Sequence, residues 1–280
     1  MSETLAQALA RAAARLNAAG VRDAARDARA LLAHAAGLPP DRVLLERDAP
    51  LGAQAAAVLE RALADRGRFR PVAQIIGRRC FWGRDFIVTG DVLDPRPETE
   101  TIVDLALRGP APARILDLGT GTGVLALTLL AECPQARAVA VDISPAALAV
   151  AARNAEALDV ADRVRFVQGD WCAGIEGRFD LIVSNPPYIP QPEAERLDPD
   201  VRLWEPDGAL LAGPDGLDAY RAIAQDLAAR MSPGGRALFE HGRDQGAAVA
   251  AIIAAGHEFV IAHHDDMSGK QRVVEVLYPR

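Results

Sequence analysis

Cysteine is scarce in this 280-residue chain: Cys80, Cys133 and Cys172 lie far apart, match no metal-ligand spacing and cannot all pair with one another. That excludes a disulfide framework and points to a reducing, cytoplasmic setting. Positive charge is in deficit too. Against 38 Asp and Glu stand 31 Lys and Arg, a formal net charge of -7, and such a field repels a phosphate backbone, making nucleic acid a poor partner. The local strip Arg66, Arg68, Arg70, Arg78, Arg79 reads as solvated side chains on and beyond a helix end. Long apolar runs are missing because Arg and Asp break the Ala-rich stretches every few residues, so no membrane span is expected. The Met-Ser-Glu-Thr start lacks a basic region leading into an apolar segment and does not read as a signal peptide.

What is present is the balance of a soluble globular protein, 50% hydrophobic and 25% charged. Residues 3 to 66 carry apolar side chains at three- and four-residue steps, as in Leu5, Leu9, Ala12, Ala13 and Leu16, with a stop at Gly37-Leu38-Pro39-Pro40. This predicts a compact domain of about four helices over residues 1–70. Between residues 71 and 93 the texture changes to Gln74-Ile75-Ile76-Gly77, Phe81-Trp82 and Phe86-Ile87-Val88, which predicts a linker of short strands and turns. Residues 94–280 then alternate apolar strands with helices. The expected strands are Arg114 to Leu118, Ala138 to Asp142, Val164 to Gln168, Asp180 to Ser184, Arg236 to Glu240, Phe259 to His263 and Arg272 to Leu277. The alternation predicts an α/β fold, a doubly wound, mostly parallel sheet of seven strands whose last two form an antiparallel pair.

The strand Ile115-Leu116-Asp117-Leu118 runs into Gly119-Thr120-Gly121-Thr122-Gly123. Glycines beyond the carboxyl end of such a strand let backbone N–H groups approach a ligand. The Gly-x-Gly-x-Gly spacing is not that of a dinucleotide pyrophosphate site, no Gly-Lys-Ser/Thr follows, and Asp117 is a poor neighbour for phosphate. A carboxylate suits a cationic amino group, as in the methionine moiety of S-adenosylmethionine. Asp142 closes the next strand, placed to accept from ribose hydroxyls; it also precedes Ser144-Pro145, a helix start signal. Asp170 and Trp171 follow the third strand, for the adenine amino group and ring, or as a turn residue and a core aromatic.

The fourth strand delivers Asn185-Pro186-Pro187-Tyr188 to the same edge. The prolines lock the backbone and remove donors. The Asn185 side-chain oxygen and the Pro186 carbonyl then accept the two hydrogens of a planar NH₂ group, against which Tyr188 packs. Such a nitrogen is a weak nucleophile, so the chemistry is positioning and electrostatics, aiming its lone pair at a methyl carbon. No strong base is needed. Isolated, Asn-Pro-Pro is only a turn; attached to this strand it reads as a methyl-transfer site.

These segments, with Pro95-Arg96-Pro97-Glu98-Thr99-Glu100 and Glu240-His241-Gly242, resemble the bacterial peptide chain release factor N5-glutamine methyltransferases. The resemblance spans nearly the whole chain. It implies a class I S-adenosylmethionine-dependent methyltransferase fold, Rossmann-like, with a helical N-terminal substrate-recognition domain. By resemblance, Gly119, Thr120, Gly121, Thr122, Gly123, Asp142 and Trp171 contact the cofactor, with S-adenosylhomocysteine as product and no metal. Asn185 to Tyr188 receive the glutamine of a Gly-Gly-Gln motif, and Arg96 and Glu98 lie near the site's mouth; bottom-up, these two are equally a surface ion pair. The implied partners are class 1 release factors met by a monomer, and the implied process is translation termination. A ribosomal-protein glutamine, an adenine-N6 target and a non-catalytic scaffold are the alternatives. The long Ile189 to Gly213 segment is expected to form a hairpin shaping the substrate channel. His241 reads as structural, His263-His264-Asp265-Asp266 as a solvated turn, and Cys172 as a small buried filler.

Overall fold

Thr4 opens the first helix, α1 (Leu5–Ala18), with a reciprocal cap: its hydroxyl accepts from Gln7 N–H while the Gln7 side chain accepts from Thr4 N–H. The computed structural model describes residues 3–279, which divide into two units: the chain through Arg78 with Asp198–Trp204, and Arg79–Leu197 with the chain from Glu205 onward. In the first unit α1 is followed by α2 (Ala24–Ala36), α3 (Arg42–Leu45), α4 (Ala53–Arg66) and α5 (Val72–Ile76). Leu16, Leu31, Leu32, Leu59 and Leu63 fill its core.

Two expectations change here. Residues 72–76 are helical, not extended, because a short apolar run does not separate helix from strand; Pro71 starts the turn and Gly77, with φ of 81°, ends it. Arg66 is not solvated. It is buried, donates to Asp27 at 2.6 Å, and reaches the carbonyls of Phe69 and Arg70. Arg70 pairs with Asp65 and lies over the Trp204 ring at 5.6 Å. The short helix α9 (Pro199–Arg202) belongs to this unit, where Asp198 pairs with Arg22 and the Trp204 indole donates to the Arg68 carbonyl.

The second unit begins with a hairpin, β1 (Arg78–Phe81) and β2 (Arg84–Ile87), turned through Trp82-Gly83, both at positive φ as tight hairpin turns require. After α6 (Glu100–Arg108) come β3 (Arg114–Leu118), α7 (Val124–Glu132), β4 (Arg137–Asp142), α8 (Pro145–Ala157), β5 (Val164–Gln168) and β6 (Phe179–Ser184). Then follow α10 (Asp218–Arg230), β7 (Met231–Glu240), α11 (Gly246–Ala254), β8 (Val260–Asp265) and β9 (Gln271–Leu277). The seven strands lie in the order β5-β4-β3-β6-β7-β9-β8; β9 runs antiparallel to both its neighbours and the rest are parallel. This is the expected sheet. Apolar residues cover both faces: Ile115, Leu181, Val183 and Leu238 in one core cluster, Leu116, Leu118, Ile182 and Phe239 in the other. The strand order reverses between β3 and β6, the position where doubly wound sheets open a crevice beyond their carboxyl ends.

Two local departures stand out. β8 runs through His264 and Asp265, and His264 Nε2 lies 2.7 Å from Glu275, so these residues are strand rather than solvated turn; the turn starts at Asp266, which accepts from Ser268 and Lys270. The stretch from Ile189 to Gly213 forms no hairpin. Pro190, Pro192, Pro199 and Pro206 cannot donate to a ladder, and the chain takes short helical turns instead, its ends joined by an Ile189–Leu211 bridge and a Gln191 N–H to Gly213 carbonyl bond of 2.8 Å.

Candidate active site

The glycine turn after β3 is built over a buried carboxyl. Asp117 Oδ2 accepts from the Thr120 hydroxyl at 2.6 Å and from Ala126 N–H at 3.2 Å, while Oδ1 is buried without a partner. Burial pushes this group up to about 7. It lies beneath the turn and does not line the cavity above. Gly119, Thr120, Gly121 and Thr122 do line it. At Gly121, with φ of 54°, a Cβ would meet no atom within 4 Å, so the backbone faces open space. Gly123 differs from the expectation: it caps α7, and a Cβ there would strike Leu127 at 2.7 Å, so its role is helix packing rather than cavity wall.

Asp142 braces this turn from the end of β4. Its Oδ2 accepts from Gly121 N–H at 2.8 Å and its Oδ1 from Ser144 N–H at 2.9 Å, and Ser144 in turn caps α8 through Ala147 N–H. Wall residue and helix-start residue are the same carboxylate. Asp170 and Trp171 line the cavity after β5, the Trp171 ring lying 3.3 Å from where a Gly119 Cβ would stand. Beside them is Ile143, 67% exposed yet on the cavity wall, which the sequence reading missed. The cavity measures about 580 Å³.

Asn185 enters this cavity from β6. Ser184 anchors the strand end through its hydroxyl to the Leu118 carbonyl at 2.6 Å. The Asn185 Nδ2 donates to Thr99 Oγ1 at 3.0 Å, and Thr99 donates to Glu240 Oε2 at 2.7 Å. Pro187 also lines the cavity, Pro186 is buried, and Tyr188 lines a smaller polar cavity with Arg96, Glu98, Glu240 and Arg272. Tyr188 shares that cavity with the Glu240 carboxyl, and its carbonyl accepts from the Gln245 side chain at 2.9 Å. Tyr188 is not among the residues that line the large cavity.

Glu240, 1% exposed, is the group missed by sequence reasoning that most shapes this end of the site. Burial pushes its carboxyl up to about 7, against the pull of the Thr99 hydrogen bond and Arg272. Its carbonyl accepts from the Tyr220 hydroxyl at 2.7 Å. Arg96 does not pair with the exposed Glu98. It donates to Glu205 at 2.7 Å, a carboxyl that burial pushes up to about 7. His241 is wholly buried with Nδ1 2.8 Å from the Gly242 carbonyl, and burial holds its pKa down. Cys172 is buried, its thiol pushed up to about 12. Neither is a reactive group.

Comparison with known proteins gives the family. The methyltransferase small domain family matches residues 101–198, and the PrmC N-terminal domain family matches residues 7–77. A release factor glutamine methyltransferase of Cereibacter sphaeroides is 54% identical, over 98% of this chain and 98% of its own length. One of Rhodospirillum rubrum is 44% identical, over 96% of this chain and 83% of its own. Among solved structures, a methyltransferase from Pyrococcus furiosus shares the fold, with a TM-score of 0.53 at 18% identity over 72% of this chain and 92% of that one. A glycine turn and an Asn-Pro-Pro-Tyr turn at one switch point, in a unit that follows a helical N-terminal unit along the sequence, thus occur in a chain that belongs to the release factor glutamine methyltransferase family.

Proposed function

We propose that the protein transfers the methyl group of S-adenosylmethionine to the side-chain amide nitrogen of the glutamine in the Gly-Gly-Gln motif of class 1 peptide chain release factors, acting in the cytoplasm on translation termination. The observation that carries this reading is the Asn185 amide: its Nδ2 is committed to Thr99, which leaves Oδ1 as an acceptor at the wall of the cavity.

The residues fit the cofactor. A cavity of about 580 Å³ is in the range of small-molecule sites. The open face of Gly121 leaves room for a ligand against the turn, and the unpartnered Asp117 Oδ1 is a spare acceptor beneath it. Gly119 to Thr122 would hold the amino-acid end, Asp142 the ribose, and Asp170, Trp171 and Ile143 the adenine. When bound, the cofactor supplies an electrophilic methyl group on a sulfonium.

The chain's own residues handle the substrate nitrogen. Asn185 Oδ1 and the Pro186 carbonyl accept its two hydrogens, which withdraws the lone pair from conjugation and aims it across the cavity. Forming the nitrogen–carbon bond would break the sulfur–methyl bond, whose electron pair would stay on sulfur, and the nitrogen would release one proton past these acceptors to solvent water. Arg96, tied to Glu205, and Glu98 border the substrate side. The test is incubation with methyl-labelled S-adenosylmethionine and, separately, a release factor, ribosomal proteins and DNA. Label on the Gly-Gly-Gln glutamine, located by mass spectrometry, is expected. Label on ribosomal protein or DNA instead, or none, would reject the reading.

A further inference from the structure

We propose that Glu240 is a positioning residue: its carboxylate sets the direction of a hydrogen-bond chain running from Asn185 through Thr99, and so decides which end of the Asn185 amide meets the substrate. The inference rests on the methyl-transfer reading above.

The geometry follows from strand register. β6 and β7 are parallel with Ser184 opposite Phe239, so the next residues of each, Asn185 and Glu240, are neighbours at the carboxyl edge of the sheet, Glu240 still paired with Val273 of β9. Thr99, just before α6, bridges them at 3.0 and 2.7 Å. An ionised carboxylate can only accept. The single hydroxyl hydrogen of Thr99 is then committed to Glu240, and the Thr99 oxygen turns its lone pairs to Asn185. Only the Nδ2 end of the amide satisfies that oxygen, and Oδ1 is left for the substrate.

Protonation of Glu240 reverses the logic. A carboxylic acid donates, its proton satisfies the Thr99 oxygen, and the Thr99 hydrogen is released to point at Asn185. The amide then gains by turning Oδ1 inward, and its NH₂ meets the substrate NH₂, donor against donor. A buried carboxyl is also a costly way to fill space that an apolar residue would fill more cheaply, so packing alone gives no reason for one here.

The groups that face Glu240 come from five elements. Glu98 and Arg96 approach from the turn before α6, Tyr188 from the turn after β6, Tyr220 from α10, Arg272 from β9, and His241 follows in the chain. Burial and Glu98 oppose the ionised form, while the Thr99 hydrogen bond, Arg272 and the nearby Tyr188 favour it, leaving the group at about 7.

The experiment compares the full-length protein with Glu240→Gln, Thr99→Ser and Thr99→Val in labelled methyl transfer to a release factor, at saturating cofactor and across the pH range around 7. Glutamine carries both a donor and an acceptor and imposes no direction. Glu240→Gln and Thr99→Val are expected to lower kcat by about tenfold or more, with KM for the release factor and cofactor affinity changed by less than about threefold. Thr99→Ser retains most of the rate. The wild-type rate rises with pH through a one-proton step that Glu240→Gln lacks. A Glu240→Gln enzyme with wild-type kcat and the same pH step would overturn the proposal. So would parallel losses of kcat, binding and melting temperature in both variants, the pattern of a purely structural residue. A wild-type protein that labels no release factor would defeat the underlying function instead.

Discussion

Replacement of Asn185 by Ala removes one of the two acceptors proposed for the substrate nitrogen while sparing the rest of the site. Its Nδ2 bond to Thr99, 3.0 Å long, is lost, but Thr99 keeps its 2.7 Å bond to Glu240, so no buried donor is orphaned. The residue is half-buried, and the cost to the fold is on the order of 1 kcal/mol. Loss of a preorganised hydrogen bond that acts on the reacting atoms costs about 2.7–4 kcal/mol, or roughly 10²- to 10³-fold in turnover. The assay is label transfer to a release factor at saturating cofactor, with calorimetry to show that cofactor affinity is kept. Asn185→Asp sharpens the result. It keeps an acceptor but sets a second oxygen against Thr99, whose hydrogen is already given to Glu240, so turnover falls although Oδ1 is present. An alanine variant that turns over within about threefold of wild type would refute the acceptor role.

Gly121→Val adds a side chain that meets no protein atom but stands at the cavity wall, so cofactor affinity should drop by about tenfold or more in calorimetry; the strain of φ at 54° costs the fold about 1–2 kcal/mol. Unchanged affinity would separate this turn from the cofactor. Asp27→Ala removes the shortest of the partners of the buried Arg66, leaving Asp200 at 3.4 Å and two backbone carbonyls, and should destabilise the helical unit by about 1.5–3 kcal/mol in denaturant unfolding, an effect a solvated arginine would not show. Asp117, Glu205 and Glu240 all sit at about 7, above the usual carboxylate range. Groups raised in the folded state give stability that is present below their unfolded pKa and lost as pH rises through the folded one. The thermal midpoint of the ligand-free protein should therefore fall between about pH 5 and 8, with a shallower fall in Glu205→Gln. A midpoint that rises over this range would show that these carboxyls are not perturbed upward.

Contiguous signals were readable from the chain alone. The parallel sheet announces itself through apolar runs spaced by helical stretches, and the glycine turn and Asn185-Pro186-Pro187-Tyr188 each lie within a few residues. What escaped was every feature that depends on a distant partner. Arg66 looks solvated until Asp27, on another helix, is packed beside it, and Arg96 seems free to pair with Glu98 until Glu205 arrives from the far end of a long loop. Gly123 sits in the same run as Gly119 and Gly121, yet glycine is needed there for its φ of 84° and for the close approach of Leu127 one turn on and of Ala151, the last a contact that exists only once α7 and α8 have packed.

Strand order explains why the most consequential of these partners was also the hardest to see. β3, β6 and β7 are neighbours in the sheet, and the register pairs Leu118 with Ser184 and Ser184 with Phe239. One residue beyond each of these lie Gly119, Asn185 and Glu240, a row across the carboxyl edge drawn from three widely separated parts of the chain. The cofactor turn, the substrate acceptor and the carboxyl that directs it are thereby consecutive in space. In the sequence, Glu240 closes an ordinary apolar strand, and although Glu240-His241-Gly242 is among the segments that carry the resemblance, nothing local gives the carboxyl a partner or a role. The seven-strand topology converts that strand end into a buried position beside Asn185, where its charge reaches the chemistry through one threonine hydroxyl.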